Sequence, residues 1–392
     1  MNFIDNKLIT NPPQLVIVGG ANIEQHADGK WYTKSAVARY LSDHARQFDR
    51  VIFFAPVSKS STIYLAEVPS SVEVFPYSTA WSSLIAISAK VFEIARGSYL
   101  LLFLPNSIFL AIILPLLKRR ARLLASYLSY DYAYWAAHSR FGRLPLGSAI
   151  FQWLNASFLG QADFIIARGK YLCDLASQSN KTVHDTVPIS DIDYSVPPPN
   201  QPAHLRKSDC LNILVVAKLQ WSKGFSHLVE AAVLLSRTVK SEFFHFHIAG
   251  DGPQGLEIRN RFRSCGVENV TFHGWLDGTH AMLNVWQTAD LFVHPSASSE
   301  GIPRVIDEAL YFGIPVIATA LPSISVEFHD EIELVPPGNS DALCHAIMRH
   351  IPKRTESTPL PESAARRIET FSSYGSAGDQ HSRLILNYRR RE

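Results

Sequence analysis

Two carboxylates, Glu300 and Glu308, flank the turn Gly301-Ile302-Pro303 in the run HPSASSEGIPRVIDEALYFGIPVIAT, His294 to Thr319. Val305, Ile306, Ala309 and Leu310 recur at helical spacing. Pro303 suits the first helical position because its missing N–H would be unpaired there, and Gly313 with Pro315 ends the helix. Asp290 to Val293 reads as a short apolar strand before the turn, and Pro315 to Ala318 as the buried strand after it. Glu300 and Gly301 are therefore expected in a loop over the carboxyl end of a strand, with Glu308 about a turn and a half into the helix. A helix N-terminus offers unpaired N–H groups and partial positive charge, which suit a phosphate or diphosphate. Carboxylates beside a diphosphate would repel it, so their chemistry there is to accept hydrogen bonds from hydroxyls. A nucleotide-sugar has both features, a central diphosphate with hydroxyls on either side. Taken alone, two glutamates at this separation also occur by chance.

The wider pattern is more specific. Glu300-Gly301-x-Pro303-x4-Glu308-Ala309, followed by Gly313-x-Pro315-Val316-Ile317-Ala318, closely resembles the E-x7-E signature of retaining glycosyltransferases of family 4, which have the GT-B fold. The resemblance implies that Glu300 sits by the donor hexose, that Gly301 and Ile302 line the donor site, and that Glu308 binds the ribose. Ala217-Lys218-Leu219-Gln220-Trp221-Ser222-Lys223-Gly224 resembles the family's Gly-Arg-Leu-x3-Lys-Gly, whose two cations hold the donor diphosphate. Ala217 replaces Gly and Lys218 replaces Arg, and a lysine loses the planar two-pronged fork, so Lys223 is the stronger assignment. Two fixed cations can neutralise a departing diphosphate without Mg²⁺. Lysines at a helix entry are the competing reading. Ala249-Gly250-Asp251-Gly252-Pro253 and Phe272-His273-Gly274-Trp275 look like the family's turns around Gly250 and Gly274, the second beside the nucleobase. A plain turn is the alternative for Gly250.

The first half is less explicit. Its Gly29 loop corresponds in the resemblance to a glycine-rich first loop near the phosphates and acceptor. Many relatives carry a catalytic histidine soon after the strand read here as Arg122 to Tyr127. This chain has Leu128-Ser129-Tyr130-Asp131-Tyr132 there, with His138 the nearest histidine. Asp131 and His138 are the catalytic candidates, with a surface or structural role as the competing reading. No D-x-D follows a strand; Asp191-Ile192-Asp193 lies just before a Pro-rich stretch, so no metal site and no cofactor is expected.

Alternating strands and helices must position these residues. Strands are expected at Leu15–Val18, Val51–Ala55, Val72–Phe75, Tyr99–Leu104, Arg122–Tyr127 and Phe164–Ala167, with helices at Ser35–Phe48, Ser82–Arg96, Ile108–Leu117 and Gly147–Gly160. After PPPNQPAHLRKSD, a linker by its prolines and charges, the same alternation resumes with the strand Asn212–Val216. Such alternation predicts parallel sheets with helices on both faces. The domains are read as 1–200 for the acceptor and 210–373 for the donor. The resemblance implies two Rossmann-like domains facing a central cleft, with a terminal helix, 374–391, crossing back to the first domain.

At 392 residues, 47% apolar and 18% charged, the chain has the length and composition of two globular domains. A net charge of +2 gives no general attraction to nucleic acid. Cys173, Cys210, Cys265 and Cys344 are scattered, without a C-x-x-C pair, which suggests a reducing, cytoplasmic setting. Tyr99 to Leu117 is uncharged and is followed by Lys118-Arg119-Arg120. Pro105-Asn106-Ser107 interrupts it like a loop, so a strand and a buried helix are preferred over a membrane span. Peripheral contact with a membrane through this helix stays open. The function expected is metal-independent, retaining transfer of a hexose from a nucleotide diphosphate sugar to a sugar, glycan or lipid-linked acceptor, in surface-glycan assembly. A GT-B epimerase or phosphorylase and a non-catalytic nucleotide-sugar binding module are the alternatives.

Overall fold

The computed structural model describes residues 13–58, 66–78, 80–104, 108–128, 147–190, 192, 210–276, 279–297, 301–351 and 362–388. The chain divides into two compact units. The first comprises Met1–Ala167, Cys173–Thr186 and Ser376–Glu392; the second comprises Arg168–Leu172 and Val187–Gly375.

In chain order the first unit contains β1 Gln14–Val18, β2 Glu24–Gln25, β3 Trp31–Thr33, α1 Ser35–Ala45, β4 Arg50–Pro56, β5 Ala66–Glu67, β6 Val72–Tyr77, α2 Trp81–Ile94 and β7 Tyr99–Leu104. Then come α3 Ile108–Arg120, β8 Leu123–Leu128, α4 Gly147–Gln161, β9 Phe164–Ala167, α5 Gly169–Ser177, whose residues up to Leu172 belong to the second unit, and β10 Thr182–Asp185. Seven strands form one sheet in the order β10-β9-β8-β7-β1-β4-β6, every pair parallel. The central strands β7, β8 and β9 are buried along their whole length, because helices cover both faces of such a sheet. Of the uncharged run Tyr99–Leu117, Tyr99–Leu104 is this buried strand and Ile108–Leu117 is most of α3; the helix is not wholly buried as expected, since Ile112 and Leu116 are exposed. No helix among the described residues is long and apolar enough to cross a membrane.

The second unit contains β11 Leu211–Val216, α6 Phe225–Thr238, β12 Phe244–Ala249, α7 Gly255–Ser264, β13 Val270–Gly274, α8 Thr279–Thr288, β14 Leu291–His294, α9 Arg304–Tyr311 and β15 Val316–Thr319. After these come α10 Pro322–Phe328, β16 Glu333–Val335, α11 Ser340–Met348 and α12 Glu362–Tyr374, while α13, Ala377–Asn387, returns to the first unit. The sheet order is β13-β12-β11-β14-β15-β16, again all parallel. Phe225, Phe244, Phe246, Phe262 and Leu291 fill its core.

Three details differ from the expectations. The chain leaves the first unit after Thr186 rather than near 200, because Val187 to Ile192 is tied to the second. Arg304 Nη1 donates to the Ile189 carbonyl at 3.1 Å, and the Ser190 hydroxyl donates to Glu308 Oε1 at 2.6 Å. The terminal helix is α13 alone, preceded by a separate helix α12 and a break at Gly375. Pro303 is the residue before α9 rather than its first member, and its φ of −69° with ψ of 113° is extended.

Candidate functional site

In an open parallel sheet, ligands bind beyond the carboxyl ends of the strands where the strand order reverses. In the second unit that point lies between β11 and β14, so the loops after these two strands define the candidate site. The first carries Lys218 and Lys223; the second leads from His294 through Ser296 to Gly301 and α9.

Backbone contacts hold these loops against their neighbours. Leu219 N donates to the Asp251 carbonyl at 3.0 Å, Gly250 N to the Gly274 carbonyl at 2.7 Å, and Ala297 N to the Ser222 carbonyl at 3.0 Å. The loops after β11, β12, β13 and β14 are thereby joined. Two glycines permit it. Gly224 has φ +78° and a Cβ there would overlap the Pro295 carbonyl; Gly250 has φ +137° and a Cβ would overlap the Ala217 carbonyl. Only glycine tolerates such dihedrals without strain together with so close a backbone approach. Gly250 and Gly274 thus shape the wall of the site through the backbone.

Lys223 ends a 3₁₀ turn, Trp221–Lys223. Burial, and secondarily the charge of Lys218, lower its pKa to about 8. Lys218 itself is exposed. Two cations held near one another repel, and an anion placed between them removes that cost. His294, at the end of β14, is buried, and burial followed by the nearby Lys223 pushes its pKa down to about 3. It is a neutral imidazole at physiological pH and adds no positive charge.

The other loop is anchored at both ends. The Thr319 hydroxyl donates to the Ser296 carbonyl at 2.6 Å and the Ser323 hydroxyl to the Gly301 carbonyl at 2.7 Å. Arg168 Nη1 donates to the Ile302 carbonyl at 2.8 Å, and the same guanidinium pairs with Asp307, which is buried in α9. Arg367 Nη1 approaches Asp307 from 3.5 Å. Glu308 follows, 5% exposed. Its Oε1 accepts from the Ser190 hydroxyl and lies 3.8 Å from Arg304 Nε. The carboxylate thus accepts a hydroxyl hydrogen bond within the second unit.

Of the residues singled out from sequence, Lys218, Lys223, Gly250, Gly274, Gly301, Ile302 and Glu308 all lie in the second unit, on or beside the loops at the carboxyl end of its sheet. Glu300, Asp131 and His138 lie outside the described residues, as do Asp191 and Asp193. Gly29 is in the first unit, at the turn of the β2–β3 hairpin, where its N–H donates to the His26 carbonyl at 2.9 Å. In that unit the strand order reverses between β1 and β7, and the loop leaving β1 there is Gly19-Gly20, with φ +85° and +93°. Two glycines directly after a buried strand were the available signal. Ser190 and Arg168 carried no local signal, because their partners lie 118 and 134 residues away.

The architecture, two Rossmann-like α/β domains with parallel sheets, is the GT-B fold. Solved structures support this: the chain matches Anabaena HepE, crystallised in complex with UDP, over 95% of its own length and 99% of that chain, with a TM-score of 0.65 and 18% identity. Sucrose-phosphate synthase from Thermosynechococcus elongatus matches over 96% and 100%, at 0.65 and 17%. Residues 199–368, the stretch that contains the candidate site, match the family described as Glycosyl transferases group 1. Among curated relatives, the putative teichuronic acid biosynthesis glycosyltransferase TuaC of Bacillus subtilis is 32% identical over 44% of this chain and 40% of its own. The putative colanic acid biosynthesis glycosyltransferase WcaL of Escherichia coli is 29% identical over 41% of each. The chain thus aligns with about two-fifths of the length of these relatives.

Proposed function

We propose that this protein is a metal-independent, retaining glycosyltransferase of family 4 that moves a hexose from a nucleotide diphosphate sugar to an acceptor hydroxyl. One observation carries the reading: Lys218 and Lys223 on one loop, and the Gly301–Glu308 segment on the other, converge on the switch point of a sheet within the glycosyltransferase-matching stretch. Lys223 and Lys218 would hold the diphosphate. Glu308 would accept from a ribose hydroxyl, in the place the Ser190 hydroxyl takes here. Glu300 would face the donor hexose, with Gly301 and Ile302 beside it. As the glycosidic bond breaks, negative charge grows on the departing diphosphate, and a fixed ammonium attracts it more strongly in the transition state than before. The names of TuaC and WcaL, glycosyltransferases of teichuronic acid and colanic acid biosynthesis, support a place in glycan assembly.

A lipid-linked acceptor would bring the first unit to a membrane. Ile85, Ile112, Leu116 and Trp153 are exposed on α2, α3 and α4, neighbouring helices that pack side by side, and α3 ends in Lys118-Arg119-Arg120. An apolar face with a basic end suits an anionic lipid surface. Flotation with vesicles of anionic lipid, lost in Ile112→Asp/Leu116→Asp, is the expected result; flotation unchanged by the substitutions excludes this face.

The reaction itself is tested with UDP-, GDP- and ADP-sugars, uridine first because HepE binds UDP. One donor should raise the melting temperature, and be transferred or slowly hydrolysed, with EDTA without effect. Activity abolished by EDTA and restored by Mn²⁺ overturns metal independence. A bound donor that is neither transferred nor hydrolysed favours a binding module instead.

A further inference from the structure

The open face of the β12–β13 edge carries an imidazole pair that plays no part in the proposed transfer. Along β12, Phe244, Phe246 and Ile248 enter the core, so His245 and His247 point to the other face by strand alternation. In β13 the register slips: Ile248 pairs with Phe272 but Ala249 with Gly274, which leaves His273 as the extra residue of a bulge. Bulges re-aim side chains, and here His273 Nε2 comes to 3.1 Å from His247 Nδ1.

The hydrogen bonds around the pair fix its tautomers. Asn212 Nδ2 donates to Asp290 Oδ2 at 2.8 Å, which turns Asn212 Oδ1 towards His247 Nε2, 3.3 Å away. That nitrogen therefore carries the proton and donates, so His247 Nδ1 holds a lone pair and accepts from His273 Nε2–H. Beside the rings is a cavity of about 600 Å³, lined by Asn212, His247, His273, Asn284, Thr288 and Asp290 among others.

We propose that His247 Nδ1 and His273 Nε2 form a two-imidazole chelate for a divalent transition-metal ion at the wall of this cavity. With metal–nitrogen bonds of about 2.05 Å, two nitrogens 3.1 Å apart subtend about 98° at the metal. That lies between the right angle of square-planar or octahedral sites and the tetrahedral angle, and each metal–nitrogen bond then lies about 41° off the N···N line, so both rings turn to direct their lone pairs there. The proton on His273 Nε2 moves to Nδ1 through solvent, so both ligands stay neutral and no proton is lost. The Asp290–Asn212 relay holds His247 in the required tautomer, as outer hydrogen bonds do for metal-bound imidazoles. Among the described residues no group of three or more His, Cys, Asp or Glu is arranged for a metal. Water in the cavity completes the coordination, with Asn284 and Thr288 available to it. This site does not rest on the glycosyl-transfer reading.

The test is titration of the full chain with Cu²⁺ at neutral pH, followed by electron paramagnetic resonance. One equivalent should bind with hyperfine splitting from two imidazole nitrogens. His247→Ala and His273→Ala should each weaken binding at least about tenfold and leave one nitrogen, while Asn212→Leu should weaken it about tenfold, the scale of a lost outer contact. His245→Ala should change neither. Should an alanine variant fold poorly, His273→Gln keeps the polar surface and removes the ligand. Binding unchanged in the histidine variants, or no stoichiometric binding at millimolar Cu²⁺, overturns the proposal.

Discussion

Lys223 and Glu308 are placed to do different work, and kinetics can separate them. Glu308 is buried and already accepts a hydroxyl, so under the proposed function its contribution would fall on donor binding. Glu308→Ala should cost about 1.5–3 kcal/mol of donor affinity, the size of a hydrogen bond to a charged group; calorimetry showing unchanged nucleotide binding in a folded variant removes the assignment. In the proposed transfer Lys223 would meet charge that grows as the glycosidic bond breaks, so Lys223→Ala should lower kcat by about 10²–10³-fold and raise donor KM less, since Lys218 would share the binding. A rise in KM alone would make it a ground-state anchor. Its pKa, lowered by burial to about 8, adds a pH dependence with a definite sign. As pH rises through that value the ammonium is lost, so nucleotide affinity should fall above pH 8 and the fall should vanish in Lys223→Ala.

At the scale of elements, α13 is fastened to α1 by buried neutral histidines. Gln380 Nε2 donates to the Asp185 carbonyl and its Oε1 accepts from the Thr186 hydroxyl, so His381 Nε2–H donates to Thr186 and its Nδ1 accepts from the Tyr40 hydroxyl, 2.8 Å away. His44 Nδ1 lies 2.7 Å from the Ser382 hydroxyl. Burial lowers the pKa of His44 to about 3 and carries that of His381 well below its usual value, with His44 adding to the second. Below about pH 6.5 the unfolded chain binds protons that the folded one refuses. Stability should therefore be full above that pH and fall by about 1.4 kcal/mol per histidine per pH unit as pH drops. His381→Gln should be less stable at pH 7 yet show a shallower loss between pH 6.5 and 5, and thermal melts across that range decide it. The element pattern itself was legible, because buried parallel strands such as β7 and β15 are plain apolar runs. So was the placing of Lys223 in the loop after β11 and of Glu308 within α9, because local sequence decides both. What escaped was everything decided by distant partners: Ser190 on Glu308, Arg168 on Ile302, and the small β2-β3-β5 sheet, whose strands are two or three residues long. The break at Gly375 was missed because apolar spacing runs through it.

For the whole molecule, chain order and structural unity do not coincide. Ser376–Glu392 follows the second unit in sequence but belongs to the first. There Ser376 Oγ donates to Asp43 Oδ2 at 2.6 Å, Tyr388 OH donates to the Asp163 carbonyl at 2.8 Å, and Ile385 is fully buried. Removing this tail uncovers Tyr40 and His44, both now buried, and deprives Asp43 of a donor. Each lost buried hydrogen bond costs about 1–3 kcal/mol where a partner is stranded, so the sum approaches the whole stability of a typical domain, about 5–15 kcal/mol. A chain ending at Gly375 should therefore keep a folded second unit, whose core (Phe225, Phe244, Phe246, Phe262) involves nothing beyond that point, and lose the first. Limited proteolysis with mass mapping reads this directly: early cuts should concentrate before Thr186, while the stretch from Leu211 to Met348 survives. If both halves resist equally, α13 is an accessory to the first unit rather than part of its fold. If both are cut together, the two units depend on each other for stability and the division drawn here does not describe how the protein unfolds.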